Sequence, residues 1–396
     1  MKILSIETSC DETAVSILEC EGDESRAMFR ILGNALLSQI DIHQEYGGVF
    51  PMVAKREHAR NLTPLLMDAL EEAEMLRESL QRIPQSIHEE ITELLEREPG
   101  LSAAFFDALS EIEIPEIDAI AVTAGPGLEP ALWVGVNFAK ALSLLWNKPL
   151  IAGNHMEGHL LAALADANDD DTLFTIKDVQ LPLLGLLISG GHTELIEARN
   201  WLTYEKIGQT RDDAVGEAYD KVARMLDLPY PGGPEIEKLA ARNREDTGTN
   251  PYQLPRPMLN SGDLDFSFSG LKTAVLYKVK ELPESHAELD KEQLAAAFED
   301  AVMEVLWKKT ADALTQTNAR TLAIGGGVSA SAPLRAMLRT KIAEKFPDVR
   351  LCIPTRFLST DNAVMIGIAA YFHALRKEFA NPDALIADGN LSIASA

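Results

Sequence analysis

Residues 3–18 read Ile3-Leu4-Ser5-Ile6-Glu7-Thr8-Ser9-Cys10-Asp11-Glu12-Thr13-Ala14-Val15-Ser16-Ile17-Leu18, two apolar arms around a turn of small hydroxyl and acidic residues. The pattern is strand, polar turn, strand. Residues 183–197 repeat it as Leu183-Leu184-Gly185-Leu186-Leu187-Ile188-Ser189-Gly190-Gly191-His192-Thr193-Glu194-Leu195-Ile196-Glu197. Each copy is followed later by a second unit. Ile117-Asp118-Ala119-Ile120-Ala121-Val122-Thr123-Ala124-Gly125-Pro126-Gly127 and Thr321-Leu322-Ala323-Ile324-Gly325-Gly326-Gly327-Val328-Ser329 both run from an apolar strand into glycines ahead of a helix. Each half of the chain therefore holds the same two units.

Duplicated halves of this kind predict an α/β fold of two actin-like, sugar-kinase-like lobes around a cleft that holds a nucleotide phosphate. Glycine turns free backbone N–H groups at helix starts to cradle an anion. The expected division is 1–153 for the first lobe and 154–396 for the second, with the C-terminal helix packing back on the first. Between about 75 and 115 the first lobe is interrupted by a helical apolar pattern (Ile87, Ile91, Leu94, Leu95, then Phe105, Phe106, Leu109) with breakers at Pro84, Pro99-Gly100 and Pro115. This reads as an inserted acidic helical hairpin whose apolar stripe serves local packing.

At 396 residues, 46% hydrophobic and 24% charged, the chain has ordinary globular composition and room for two cores. Three scattered cysteines, Cys10, Cys20 and Cys352, form neither a disulfide framework nor a thiolate metal cluster, and point to a reducing compartment. The N-terminal run meets Glu7 too early for a signal peptide, and no apolar run approaches the roughly 18 residues of a membrane span. A soluble cytoplasmic protein with no membrane association is expected. The net charge of -25 argues against a broad nucleic-acid surface. Much of that charge is local: Glu71 to Asp118 holds fourteen acids against three arginines. A basic group at Lys55-Arg56-Glu57-His58-Ala59-Arg60 could face a polyanion, or be a solvated helix face.

Asn154-His155-Met156-Glu157-Gly158-His159-Leu160-Leu161 places two histidines four residues apart at the start of an apolar helix, on one face, with Asn154 as N-cap. That spacing suits a transition metal once a third ligand arrives from elsewhere. It is not the zinc-protease helix, since Glu157 falls two residues after the first histidine and points to a different side.

With these pieces placed, the chain resembles the tRNA N6-adenosine threonylcarbamoyltransferases, formerly called O-sialoglycoprotein endopeptidases. The resemblance rests on Glu7-Thr8-Ser9-Cys10-Asp11-Glu12-Thr13, Tyr46-Gly47-Gly48-Val49, Gly125-Pro126-Gly127-Leu128, His155-Met156-Glu157-Gly158-His159, Ser189-Gly190-Gly191-His192-Thr193, Asp212 to Lys221, Pro231-Gly232-Gly233-Pro234, Phe266 to Thr273, Gly326-Gly327-Val328-Ser329-Ala330 and Thr360-Asp361-Asn362. It covers nearly everything but the acidic insertion and the tail. It implies transfer of threonylcarbamoyl from threonylcarbamoyl-adenylate to N6 of adenosine 37, in tRNAs reading codons that begin with A.

The resemblance also implies site residues. His155, His159 and Asp361 would hold one divalent metal per chain, iron(II) favoured and zinc possible, with positions open to substrate oxygens. Leu187, Ile188, Ser189, Gly190, Gly191, Asp220, Gly233, Glu237 and Ser331 would bind the adenylate, the backbone donors of Ser189 to Gly191 meeting its phosphate or threonylcarbamoyl group. Asp11 and Glu12 would organise the attacking amine or take its proton. Implied partners are tRNA, an inactive paralogue subunit and a small P-loop ATPase. The chain departs from the family at Ser331 where Asn is usual, Met52 for Glu, Glu129-Pro130 for small residues, and a C-terminus without the usual basic and aromatic character. A phosphotransferase of the same fold, or a noncatalytic scaffold paralogue, are the alternative readings; the first leaves His155 and His159 idle.

Overall fold

A computed structural model describes residues 1–79, 83–245, 250–285 and 290–395. The first part of the chain forms β1 Lys2–Glu7, β2 Glu12–Gly22, β3 Arg26–Ser38, α1 Ile40–Gln44, α2 Pro51–Glu72, α3 Gln85–Leu94, α4 Pro99–Leu109, β4 Ala119–Gly125, α5 Glu129–Trp146, β5 Leu150–Asn154, α6 His155–Ala162, β6 Asp166–Ala167 and β7 Leu173–Lys177. The remainder forms β8 Leu183–Ile188, β9 Thr193–Asn200, β10 Thr203–Gln209, α7 Val215–Met225, α8 Gly232–Glu245, α9 Ser269–Ser285, α10 Lys291–Thr317, β11 Thr321–Gly325, a 3-10 turn Gly327–Ala330, α11 Ala332–Lys345, β12 Arg350–Cys352, α12 Arg356–Ser359 and α13 Ala363–Leu375.

One sheet runs β5-β4-β1-β2-β3-β7-β6 and the other β10-β9-β8-β11-β12. The shared part matches strand for strand. In the first, β1 pairs antiparallel with β2, β2 with β3, and β1 pairs parallel with β4, β4 with β5. In the second, β8, β9, β10, β11 and β12 repeat those pairings and directions. Each unit is thus one copy of the duplicated actin-like, sugar-kinase-like pattern, with β6 and β7 added to the edge of the first.

The boundary differs from the expected 1–153 and 154–396. The first unit comprises Met1–Asp41, Val49–Asp178 and Thr360–Ala396, the second Ile42–Gly48 and Val179–Ser359. The reason is pairing: β5 hydrogen-bonds to β4 and leads directly into α6, and β7 closes on β3. At the far end of the chain α13 is buried along nearly its whole length, from Ala363 to Phe372, and packs on β1 and β2.

Within the first unit α3 and α4 form a helical hairpin in the stretch expected at about 75–115, of which 80–82 lie outside the described residues. Pro99 in the first turn of α4 fits the helix start, where a missing N–H costs nothing. Ile91, Leu95, Leu101, Phe105 and Leu109 are buried in the same core as Leu62, Leu66 and Phe138, and the Phe105 ring meets Phe138 edge to face at 5.7 Å. The acids Glu89, Glu90, Glu93, Glu96 and Asp107 stay exposed. So the stripe packs against its own unit, because helices this short need tertiary burial to persist. Phe105→Ala is expected to cost about 3–5 kcal/mol of stability, and Glu93→Gln under about 0.5 kcal/mol. Equilibrium denaturation of both variants checks this; a near-wild-type Phe105→Ala would mean the hairpin does not share the core.

Candidate metal centre and nucleotide cradle

Asn154 caps α6, its side-chain oxygen accepting from the N–H groups of Met156 at 2.9 Å and Glu157 at 3.2 Å. That start fixes His155 and His159 one turn apart on one face. Gly158 between them allows close approach of α13, since a Cβ there would lie 3.1 Å from Ile366 Cδ1 and 3.2 Å from Met365 Cγ. On α13 the cap is Asn362, which accepts from Met365 N at 2.9 Å, and Asp361 is the residue just before it. Asp361 Oδ1 lies 3.1 Å from His159 Nε2 and 3.5 Å from His155 Nε2. The three ligand atoms fall within 4.8 Å of one another, all inside the first unit.

The electrostatics suit a cation. Burial disfavours the charged form of His155, but the carboxylates of Asp361 and Glu7 outweigh it and raise its pKa to about 9. His159 is held low chiefly by burial and is the neutral imidazole that coordination needs. Its Nδ1 is buried and has no hydrogen-bond partner among the described residues. Glu7 Oε2 sits 3.1 Å from His155 Nδ1 and accepts from Thr123 Oγ1 at 2.7 Å, while Ser9 Oγ lies 3.1 Å from the same Nδ1. A carboxylate behind a ligating imidazole is the usual outer support of a metal-bound histidine. Two imidazole nitrogens and one carboxylate oxygen therefore fit a divalent transition metal. Glu157 is turned elsewhere, to His373 Nε2 at 2.7 Å.

Asp11 and Glu12 stand in the turn between β1 and β2. Asp11 is buried, and its carbonyl accepts from Gln39 N at 2.9 Å. Glu12 accepts from Ser38 Oγ at 3.3 Å; burial first, then the charges of Asp11 and Asp361, push its pKa well above the usual carboxylate range. His58 braces this turn: Nε2 lies 3.0 Å from the Cys10 carbonyl and Nδ1 2.8 Å from Thr13 Oγ1. Glu7, Ser9 and His58 are the residues that motif reading did not assign. Their signal was the short polar turn itself, but nothing in its spacing says which residues face a histidine 148 positions on.

The expected adenylate residues all fall in the second unit. Leu187 and Ile188 end β8 as buried strand residues, and the turn after them closes on itself: Ser189 N donates to the His192 carbonyl at 2.9 Å, and Ser189 Oγ accepts from His192 N at 3.1 Å. The Ser189 N–H thus bonds inside the turn. Asp220 Oδ1 accepts from Gly232 N at 2.7 Å, Glu237 Oε1 from Ala332 N at 3.4 Å, and Ser331 caps α11 through Leu334 N at 3.5 Å. Asp220 thus ties α7 to the start of α8, and Glu237 ties α8 to the start of α11.

Glycines separate into two kinds there. A Cβ on Gly326, at φ +89°, would lie 2.4 Å from the Ile188 carbonyl oxygen, and on Gly216 2.7 Å from that of Ser189; these glycines permit close packing. Gly190, Gly191, Gly233 and Gly327 would meet nothing within 4 Å. The first unit gives its matching turn to its own chain: Gly127 N donates to the Gly389 carbonyl at 3.2 Å, and a Cβ on Gly125 would lie 1.9 Å from Asp388 O. So the glycine turns are not used alike, and only the second unit's set faces open space.

Residues 30–86 and 101–368 match the family model for tRNA N6-adenosine threonylcarbamoyltransferase. The chain belongs to this family. Members similar to it include the tRNA N6-adenosine threonylcarbamoyltransferases of Staphylococcus epidermidis, 40% identical over 93% of this chain and 91% of that protein, and of Kosmotoga olearia, 40% identical over 97% and 96%. That of Staphylococcus aureus is 40% identical over 96% and 93%. The family is one of transferases, and residues 87–100, most of α3 and the link to α4, lie outside the matched segments. In this member of the family, purified without a histidine tag, elemental analysis is expected to find about one transition metal per chain. His155→Ala with His159→Ala should remove it while circular dichroism stays unchanged; undiminished metal in the double variant would mean the trio holds none.

Proposed function

We propose that this chain transfers the threonylcarbamoyl group of threonylcarbamoyl-adenylate to N6 of adenosine 37 in tRNAs reading codons that begin with A. The observation that carries the reading is the convergence of His155, His159 and Asp361 in a chain of this family. A kinase of the same fold would leave that trio without a task.

The reaction is acyl transfer from an already activated mixed anhydride: N6 attacks the carbamoyl carbon, the bond to the adenylate phosphate oxygen breaks, AMP leaves and N6 loses a proton. No enzyme nucleophile is required. His155, His159 and Asp361 hold the metal, iron(II) in preference to zinc, which when bound supplies Lewis-acid stabilisation of developing negative charge. Glu7 keeps the His155 ring oriented from behind. Asp11 and Glu12 stand together in the turn between β1 and β2, where burial and the charge of Asp11 push the Glu12 carboxyl above the usual carboxylate range, and this pair orients the amine or accepts its proton. In the second unit the open glycines Gly190, Gly191, Gly233 and Gly327 leave room for the adenylate, with Leu187, Ile188, Asp220, Glu237 and Ser331 shaping the surround.

Further partners follow from the same reading: an inactive paralogue as second subunit, and a small P-loop ATPase as regulator. No described helix is long and apolar enough to cross a membrane, and the proposed place of action is the cytoplasm, with the tRNA.

Asp361→Ala is expected to lower transfer at least about 100-fold without unfolding the protein, because Asn362 and not Asp361 caps α13. Mass spectrometry of tRNA nucleosides after incubation with adenylate reads the activity, and modification at the wild-type rate would remove Asp361 from the mechanism. Ser331→Asn should keep its cap, since Asn serves as well as Ser, and shift adenylate affinity more than the rate at saturation. Single-turnover kinetics separate the two; a large loss at saturating adenylate would place Ser331 at the reacting carbonyl.

A further inference from the structure

A chain of net charge -25 has little positive surface to spare, so cations left without a carboxylate partner are informative. Of the lysine and arginines in the basic run at residues 55–60 only Arg60 makes no ion pair among the described residues. Lys55 is paired with Glu98 at 2.6 Å and Arg56 with Glu57 at 3.2 Å, so the run is largely neutralised within its own unit. Elsewhere the pattern repeats: Arg211 pairs with Asp263 and Asp265, Lys221 with Asp213 and Glu217, and Arg256 with Glu304.

The stretch from Arg320 to Arg356 is different. It holds seven lysines and arginines against two acids, Glu344 and Asp348. Within it α11 places Arg335 and Arg339 one turn apart on one face. Arg356 opens α12, which packs against the 3-10 turn Gly327–Ala330. Arg339 and Arg356 are exposed. Arg335 is partly covered and fixed, donating through Nε to the Ser329 carbonyl at 2.6 Å and through Nη2 to Ser359 Oγ at 2.7 Å. Among the described residues none of these three guanidinium groups makes an ion pair. Burial, then the charges of Arg339 and Arg356, lowers the pKa of Arg335, as expected where like charges face one another uncompensated.

Such a cluster carries an electrostatic cost in the free protein that a polyanion would reverse. Its position is informative too. Arg335 is bonded to the same 3-10 turn that carries the open Gly327, so the cluster borders the glycines assigned to the adenylate. The adenylate carries a single phosphate, whereas the arginines extend from α11 to α12. We propose that the face formed by Arg335, Arg339 and Arg356 receives the phosphate backbone of the tRNA substrate. The inference rests on the functional reading above and adds where the RNA lies on the second unit. Guanidinium groups suit the task, because they bind phosphate oxygens through two donors and shed water readily.

The test uses full-length protein with Arg339→Glu plus Arg356→Glu; Arg335 is left alone because its bonds hold the turn. Binding of unmodified tRNA is measured from about 50 to 200 mM salt, where phosphate contacts show in the salt slope. The double variant is expected to bind tRNA at least about 10-fold more weakly at low salt, with the slope of log K against log salt reduced by about two. Adenylate binding should be unchanged, as should tRNA binding by Lys55→Gln. The singles Arg339→Gln and Arg356→Gln should each lose about one unit of slope, which tests the proposal should the double variant fail to fold. Wild-type affinity and slope in the arginine variants, with wild-type protein active on tRNA, overturn this inference alone. Wild-type protein that neither binds nor modifies tRNA overturns the functional reading along with it.

Discussion

The packing of α13 against β1 and β2 is the constraint on which the candidate metal centre depends. Gly367 sits where a Cβ would come within 2.5 Å of Leu18 Cδ1 and 3.0 Å of Ser5 Oγ, so the helix lies closer to the sheet than a side chain there would allow. Ser5 Oγ donates to the Ala363 carbonyl at 2.7 Å and pins the first turn of the helix to β1. Asp361, two residues before that carbonyl, is thereby held beside α6. The end of β1 delivers Glu7 to the back of His155. One strand thus positions a ligand at one point and its support at another, and overpacking costs of about 1–3 kcal/mol indicate how little this contact can vary.

Two copies of one topology have been put to different uses. In both units the central strand is followed by a polar turn, and a neighbouring parallel strand ends in glycines. In the first unit Asp388 and Gly389 fill the glycine turn, and the polar turn carries carboxylates that respond to Asp361. In the second the corresponding glycines stay open, and the side chains nearest them are spent on joining helix starts. Duplication supplies the scaffold, and the local fill decides whether a copy presents charge or space.

What was legible follows from locality. The strand-turn-strand repeats, the capped His155–His159 helix and the Phe105 stripe are written within single segments, and each formed as its pattern required. The division at residue 153 was not legible, because β5 joins the first sheet through partners thirty residues upstream and α13 returns from the other end of the chain. Asp361 came from family likeness, since an acid before a helix cap has no local mark of a ligand. Ser331 and Asp220 each engage a helix start, a use any Ser or Asp can have and one that no local pattern distinguishes from contact with a ligand. Nor was the pairing within the Lys55 run legible, because the Glu98 that takes the charge of Lys55 is 43 residues away.

That pairing gives the acidic insertion a physical consequence beyond its own packing. Glu98 lies between the two insertion helices and takes the charge of a lysine on α2. The exposed acids around it then add negative potential to the same unit, while in the second unit Arg335, Arg339 and Arg356 make no ion pair among the described residues. Repulsion and attraction are therefore separated along the chain rather than averaged over it. With screening lengths near 8 Å at physiological salt, each patch acts on what touches it and little beyond. A net charge that would exclude RNA if spread evenly can then steer it, leaving an approach through the second unit, where the open glycines already stand.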